Sequence, residues 1–140
     1  LGFRLAGIPT YLLLAELALN RVLSGTLPRP DYPAALRRWA PPVWWERSEL
    51  LFDYAGTAHA GRGDLAPCLG LVVAAAPCGA HAVLAARGEW VRDERSSLRR
   101  AGLAALDEIS ASATVDPGRL RQVVEEGRRL CETAVTAAAA

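Results

Sequence analysis

A chain of 140 residues, 51% of them hydrophobic, has the length of one packed domain and buries roughly two-thirds of the surface its unfolded form exposes. Its 16 basic and 15 acidic residues leave a formal net charge of +1, so no overall field draws it toward nucleic acid or an anionic membrane. Three cysteines are too few for a disulfide framework, and free buried thiols in a reducing cytoplasm are the simpler reading.

There is no methionine, and the chain opens mid-pattern in LGFRLAGIPTYLLLAEL. That stretch lacks the basic-then-apolar order of a signal peptide. The expectation is a piece of a longer protein whose N-terminal part is absent.

From Thr10 the sequence TYLLLAELALNRVLSG predicts a first helix, capped by Thr10 and stopped by Gly25. The prolines of TLPRPDYP force a loop. A short helix over AALRRW follows and is expected to end at Pro41 and Pro42, which then open a third helix through Trp44, Ser48, Leu51, Phe52 and Ala55 to His59. After the Gly61 and Gly63 turn comes an uncharged run from Leu65 to Ala86, with Asp64 as N-cap and Gly88 as stop. Leu65, Leu69, Val72, Val73, Ala76, Ala80, Val83 and Leu84 form its apolar stripe. Gly70, Ala74, Cys78, His81 and Ala85 are small or slender groups on the other side, and Pro77 predicts a kink. GEWVRDER is too charged for core, and SSLRRAGL reads as a short helix capped by Ser96 or Ser97. The stretch AALDEISASATV is weakly patterned. Asp116 and Pro117 start a last helix, with Leu120, Val123, Val124, Gly127, Cys131, Ala134 and Val135 inward. The fold class is therefore all-α, an antiparallel bundle of five to six helices.

The uncharged run is long enough to span a bilayer. It is mostly Ala, Gly, Pro and Cys, its bulk lies on one stripe, and amphipathic helices flank it, so it reads as a core helix. No membrane role is expected.

Three groups of residues could carry chemistry. His59, Arg62 and Asp64 surround one turn; they are either a cap with solvated neighbours or an anion site at a helix N-terminus. Cys78 and His81 share a face at metal-ligand spacing, but two ligands do not make a zinc site, and no metal is expected. Glu89, Trp90, Asp93, Glu94 and Arg95 hang at the far end of the long helix. Carboxylates beside an indole suit a cationic hydrophilic ligand and Arg95 suits a phosphate; a solvated loop anchored by one tryptophan explains the same residues. Trp44 and Trp45 read as packing, with a stacking platform as the alternative. No phosphate loop or nucleophile elbow is present, and no catalytic residue is assigned.

GIPTYLLLAELALNRVL, followed by AHAGRGDLAPCLGLVVAAAPCGAHAVLAARGEWVRDERSSLRRAGL, resembles the helical C-terminal half of bacterial nucleotidyltransferases related to kanamycin and streptomycin nucleotidyltransferase. Arg62-Gly63-Asp64 and Arg87-Gly88-Glu89-Trp90, one on each side of the alanine-rich helix, carry the resemblance most clearly. It implies a single substrate-binding domain over residues 1–140, joined to an N-terminal catalytic domain. That domain would bear a Gly-Ser turn and an Asp-x-Asp pair for NTP and magnesium. The motif is absent here, so the resemblance implies no cofactor in this part and no activity by it alone. It places Glu89, Trp90 and Glu94 on a cleft for a small hydroxyl-bearing acceptor. The family often has Asn-Glu-Lys where this chain has Asp93-Glu94-Arg95, and a guanidinium does not replace an ammonium equivalently. Expected partners are the catalytic domain, the acceptor and a second copy in a homodimer, with no nucleic acid, in the cytoplasm. The alternative function is a helical interaction module that pairs with a separate nucleotidyltransferase as in toxin–antitoxin systems.

Overall fold

The computed structural model describes residues 4, 5, 8–91 and 93–140, without the side chains of residues 4–11, 94 and 95. It is an all-α bundle. Its helices are α1 (Thr10–Leu19), α2 (Ala34–Tyr54), α3 (Leu65–Arg87), α4 (Glu94–Arg100), α5 (Leu106–Ala111) and α6 (Pro117–Ala139). Before α1, Arg4–Leu5 and Ile8–Pro9 make a two-residue antiparallel pairing.

The frame is the antiparallel hairpin of α2 and α3, with α6 laid across it. Ser48 Oγ donates to the Ala75 carbonyl at 2.9 Å, joining the two long helices at mid-height. The core is filled by Phe52 from α2, Val72, Val83 and Leu84 from α3, Leu103 and Leu106 from the α4–α5 region, and Leu120 and Val124 from α6. Burial of each such aliphatic or aromatic side chain contributes about 1.5–3 kcal/mol. Two glycines set the helix spacing: a Cβ on Gly79 would lie 3.1 Å from Cys131 Sγ, and one on Gly127 would lie 3.3 Å from the Phe52 ring. The inner positions of α6 expected from its periodicity are borne out at Leu120, Val123, Val124, Gly127 and Cys131, all buried. Ala134 and Val135 are half-buried.

Several boundaries differ from the sequence reading. Pro41 and Pro42 do not divide two helices; both lie inside α2. They deprive the Arg37 and Arg38 carbonyls of helical donors, but both those residues are exposed, where water can serve instead. Arg37 Nε meanwhile donates to the Ala86 carbonyl at 2.9 Å, tying the first turn of α2 to the end of α3. The first helix ends at Leu19 rather than running to Gly25. Asn20 Nδ2 donates to the Leu17 carbonyl and Arg29 to the Asn20 carbonyl, taking acceptors that a further turn would use. The Thr10 cap lies outside the described side chains. The weakly patterned stretch contains α5, held by Leu106 in the core. Asp93, not Ser96 or Ser97, caps α4 by accepting from the Ser96 N–H at 2.8 Å. Asp64 occupies the N-cap position of α3 without a side-chain cap bond.

α3 is the described helix long and apolar enough to cross a membrane, and 67% of its most apolar window is buried inside the bundle. From Cys78 to Ala86 every residue is buried. Its stripe is less regular than predicted: Val73 is 55% exposed, because nothing in the described chain covers α3 at Gly70, Val73 and Ala74.

Candidate binding site at the end of the central helix

The two tripeptides Arg62-Gly63-Asp64 and Arg87-Gly88-Glu89 turn out to be the same local structure used twice. In each, glycine takes the left-handed conformation, φ 75° at Gly63 and 72° at Gly88. In each, the glycine N–H donates back three residues and the acidic residue's N–H donates back five. The pairs are Gly63 to Ala60 and Asp64 to His59, then Gly88 to Ala85 and Glu89 to Leu84. This double bond is the Schellman termination, which satisfies the last carbonyls of a helix. The first copy closes α2, by way of a π-helical turn at Ala55–His59 and a 3-10 turn at Ala60–Arg62. The second closes α3. The glycines are structural; what differs is where each acidic side chain goes.

Asp64 Oδ2 lies 3.3 Å from His59 Nδ1, and the His59 ring stands edge-on to Tyr54, centroids 5.4 Å apart. Arg62 is exposed and forms no ion pair among the described residues. This cluster sits at the N-terminal end of α3, a helix of 23 residues and so about 33 Å long. His59, Arg62 and Asp64 are therefore a full helix length from Glu89 and cannot share a site with it.

At the other end, a cavity of about 80 Å³ opens between α1, α2, α3 and the segment after α3. Tyr32, Trp44 and Trp90 supply aromatic walls, His81 and Glu89 polar ones. The rest is aliphatic: Leu14, Leu36, Ala40, Ala85 and Val91. Trp44 and His81 are stacked, centroids 4.4 Å apart and planes at 16°. Tyr32 and Trp90 meet at 4.7 Å and 58°. Burial pushes the Tyr32 phenol up from its ordinary value, so it remains a neutral hydrogen-bond donor at neutral pH.

Local sequence explains this convergence. The α3 termination points Glu89 and Trp90 away from the helix axis, and a bracket of arginines fixes them there. Arg100 donates to Glu89 Oε2 at 2.7 Å and to the Trp90 carbonyl at 3.1 Å. Arg87 donates to the Arg100 carbonyl at 2.9 Å, tying α4 back to α3. The two aromatic residues before and within α2 reach the cavity because α2 is continuous through its prolines.

Of the residues singled out from sequence, Glu89, Trp90, His81 and Trp44 come together at this cavity. Asp93 stands beside it in the chain, but both its carboxylate oxygens are engaged by Ser96. The side chains of Glu94 and Arg95 lie outside those described. Tyr32 was missed, because a lone tyrosine between prolines in a loop carries no pattern. Trp44 was read as packing, with a stacking platform as the alternative; its neighbours four residues either way, Ala40 and Ser48, are buried, and its ring lines the cavity. Cys78 and Cys131 are buried thiols, and burial pushes Cys131 up to about 12. No three His, Cys, Asp or Glu side chains cluster as metal ligands among the described residues.

No family model, no curated protein and no solved structure matches the chain.

Proposed function

We propose that this bundle is the substrate-binding domain of a nucleotidyltransferase that moves a nucleoside monophosphate from a triphosphate to a hydroxyl-bearing small molecule. The cavity at the end of α3 would receive the acceptor. The observation that carries the reading is the convergence of Glu89 and Trp90, the residues most prominent in the sequence resemblance, with Tyr32, Trp44 and His81 on one cavity. A pocket of mainly apolar walls with a few fixed polar groups is the usual form of a small-molecule site.

In this reading the domain holds and orients the acceptor, and the chemistry belongs to a companion N-terminal domain. Magnesium and the triphosphate would be bound there. Glu89 contributes an acceptor oxygen, Tyr32 a phenolic donor, and the indoles a rigid wall that excludes water from one side. Fixing the acceptor hydroxyl in line with the phosphorus is the main lever such a domain has on rate. An exposed apolar row along α2, Trp39, Val43, Leu50 and Tyr54, suits contact with the companion domain. It would equally suit the alternative function, an interaction module for a separate enzyme.

Two experiments test the proposal. Reading the coding frame upstream of Leu1 should reveal a Gly-Ser turn and an Asp-x-Asp pair; an independent start codon just before Leu1 excludes the enzyme in favour of the interaction module. In the full-length protein, Glu89→Gln and Glu94→Gln should weaken acceptor binding in a labelled-nucleotide transfer assay. Unchanged acceptor binding in both variants places the acceptor elsewhere.

A further inference from the structure

The chemistry of the cavity narrows what enters it. Three aromatic rings, Tyr32, Trp44 and Trp90, and one carboxylate, Glu89, share a space of about 80 Å³. A single water needs about 10–15 Å³, so the cavity takes a compact head group and not a whole nucleotide. Aromatic faces attract cations through their quadrupole, by about 0.5–2 kcal/mol per ring depending on solvation. Two ring pairs border the cavity: Trp44 stacks on His81, and Trp90 packs against Tyr32.

Among the described residues no arginine lines the cavity. Arg37 is turned onto the Ala86 carbonyl and Arg100 onto Glu89 Oε2 and the Trp90 carbonyl. Arg100 engages one oxygen of the Glu89 carboxylate, Oε2, and among the described residues no hydrogen bond to Oε1 is seen. The other polar groups on the walls are the Tyr32 phenol and the His81 imidazole, and His81 already has a partner, so a primary ammonium with three N–H donors would find few free acceptors. An alkylated ammonium has no such demand, spreads its charge over its methyl groups, and fits aliphatic, aromatic and anionic walls together.

We infer that this cavity is an aromatic cage for an alkylated ammonium group, the head group of the molecule that the domain binds. The inference rests on the cavity being the ligand site in the proposed function, but not on nucleotidyl transfer itself.

The test uses the 140-residue chain, choline as cation, and 3,3-dimethylbutan-1-ol as its uncharged counterpart of nearly equal shape, with tryptophan fluorescence and calorimetry as readouts. Choline should bind about tenfold more tightly than the alcohol. Glu89→Gln should remove much of that preference while leaving the alcohol's affinity unchanged. Trp90→Leu, which keeps an apolar wall without the indole face, should do the same; a melting curve confirms that each variant is folded. Equal binding of choline and the alcohol, no choline binding up to saturating concentrations, or a preference untouched by both variants overturns the cage. Because no nucleotide is present, a failure here is separate from a failure of the transferase reading.

Discussion

Gly63 and Gly88 offer a controlled comparison, because they share one backbone conformation and differ only in the space around it. At Gly88 a Cβ would have its nearest neighbours, Arg37 Cδ and the Tyr32 ring, at 3.8 Å, an ordinary contact. At Gly63 it would lie 2.5 Å from the Val115 carbonyl oxygen, inside any permitted separation. Alanine at either position bears the left-handed penalty of about 1–2 kcal/mol, offset by about 0.4–1 kcal/mol from a less flexible unfolded chain. Gly88→Ala should therefore cost about 1 kcal/mol. Gly63→Ala adds displacement of the α5–α6 connection, in the range of about 1–3 kcal/mol typical of overpacking, for a total of about 2–4 kcal/mol. At roughly 3–4 °C per kcal/mol for a domain of this size, melting followed by far-UV circular dichroism should fall by about 4 °C for Gly88→Ala and about 10 °C for Gly63→Ala. If Gly63→Ala is no more destabilising than Gly88→Ala, the close approach of Val115 to the first termination is refuted.

Other expectations follow from the same geometry. Arg100→Ala should speed amide hydrogen exchange at Glu89–Val91 while leaving the middle of α3 protected; unchanged exchange means that Arg100 does not hold the segment. Ser48→Ala should lower stability by about 1 kcal/mol in urea unfolding, the net worth of its buried bond to Ala75. All three cysteines are buried, so Cys68, Cys78 and Cys131 should resist a thiol reagent until the chain unfolds. Cys131 should also give stability a pH dependence. Its thiol stays protonated in the fold up to about 12, against the ordinary 9.0, whereas the unfolded thiol ionises above 9. Stability should thus fall as pH rises past 9, and Cys131→Ser or Cys131→Ala should flatten that part of the profile.

The fold was legible wherever burial enforces period: α3 and α6 were placed almost to the residue by Asp64, Gly88, Asp116 and Pro117, which mark helix ends locally, Asp116 by accepting the Arg119 N–H. α2 was not. Two adjacent prolines ordinarily end a helix, and only tertiary contacts, Arg37 on Ala86 and Ala40 and Trp44 against α3, keep this one continuous. The short α5 was hidden because its main anchor, Leu106, is a single residue in a polar stretch. At the cavity, Glu89 and Trp90 stood out because they follow directly on the end of a long uncharged run. Tyr32 did not, and for Trp44 a stacking role was only the alternative to packing, since nothing in a sequence tells an aromatic ring that fills a core from one that borders a space. The pairing of both arginine–glycine–acid tripeptides as one termination motif explains why they flank α3. It also shows that their shared letters concern helix ends first; Asp64 goes to His59 while Glu89 pairs with Arg100 and lines the cavity.

The most direct test of the account is carried by the chain's four tryptophans. Trp44 and Trp90 line the cavity, Trp39 is on the exposed face of α2, and Trp45 packs against the core. Indole N–H resonances followed by two-dimensional NMR during a choline titration should shift for Trp44 and Trp90 along one saturating curve, with Trp39 and Trp45 still. Shifts confined to Trp39 or Trp45, or none at all, would contradict a binding site at the end of α3.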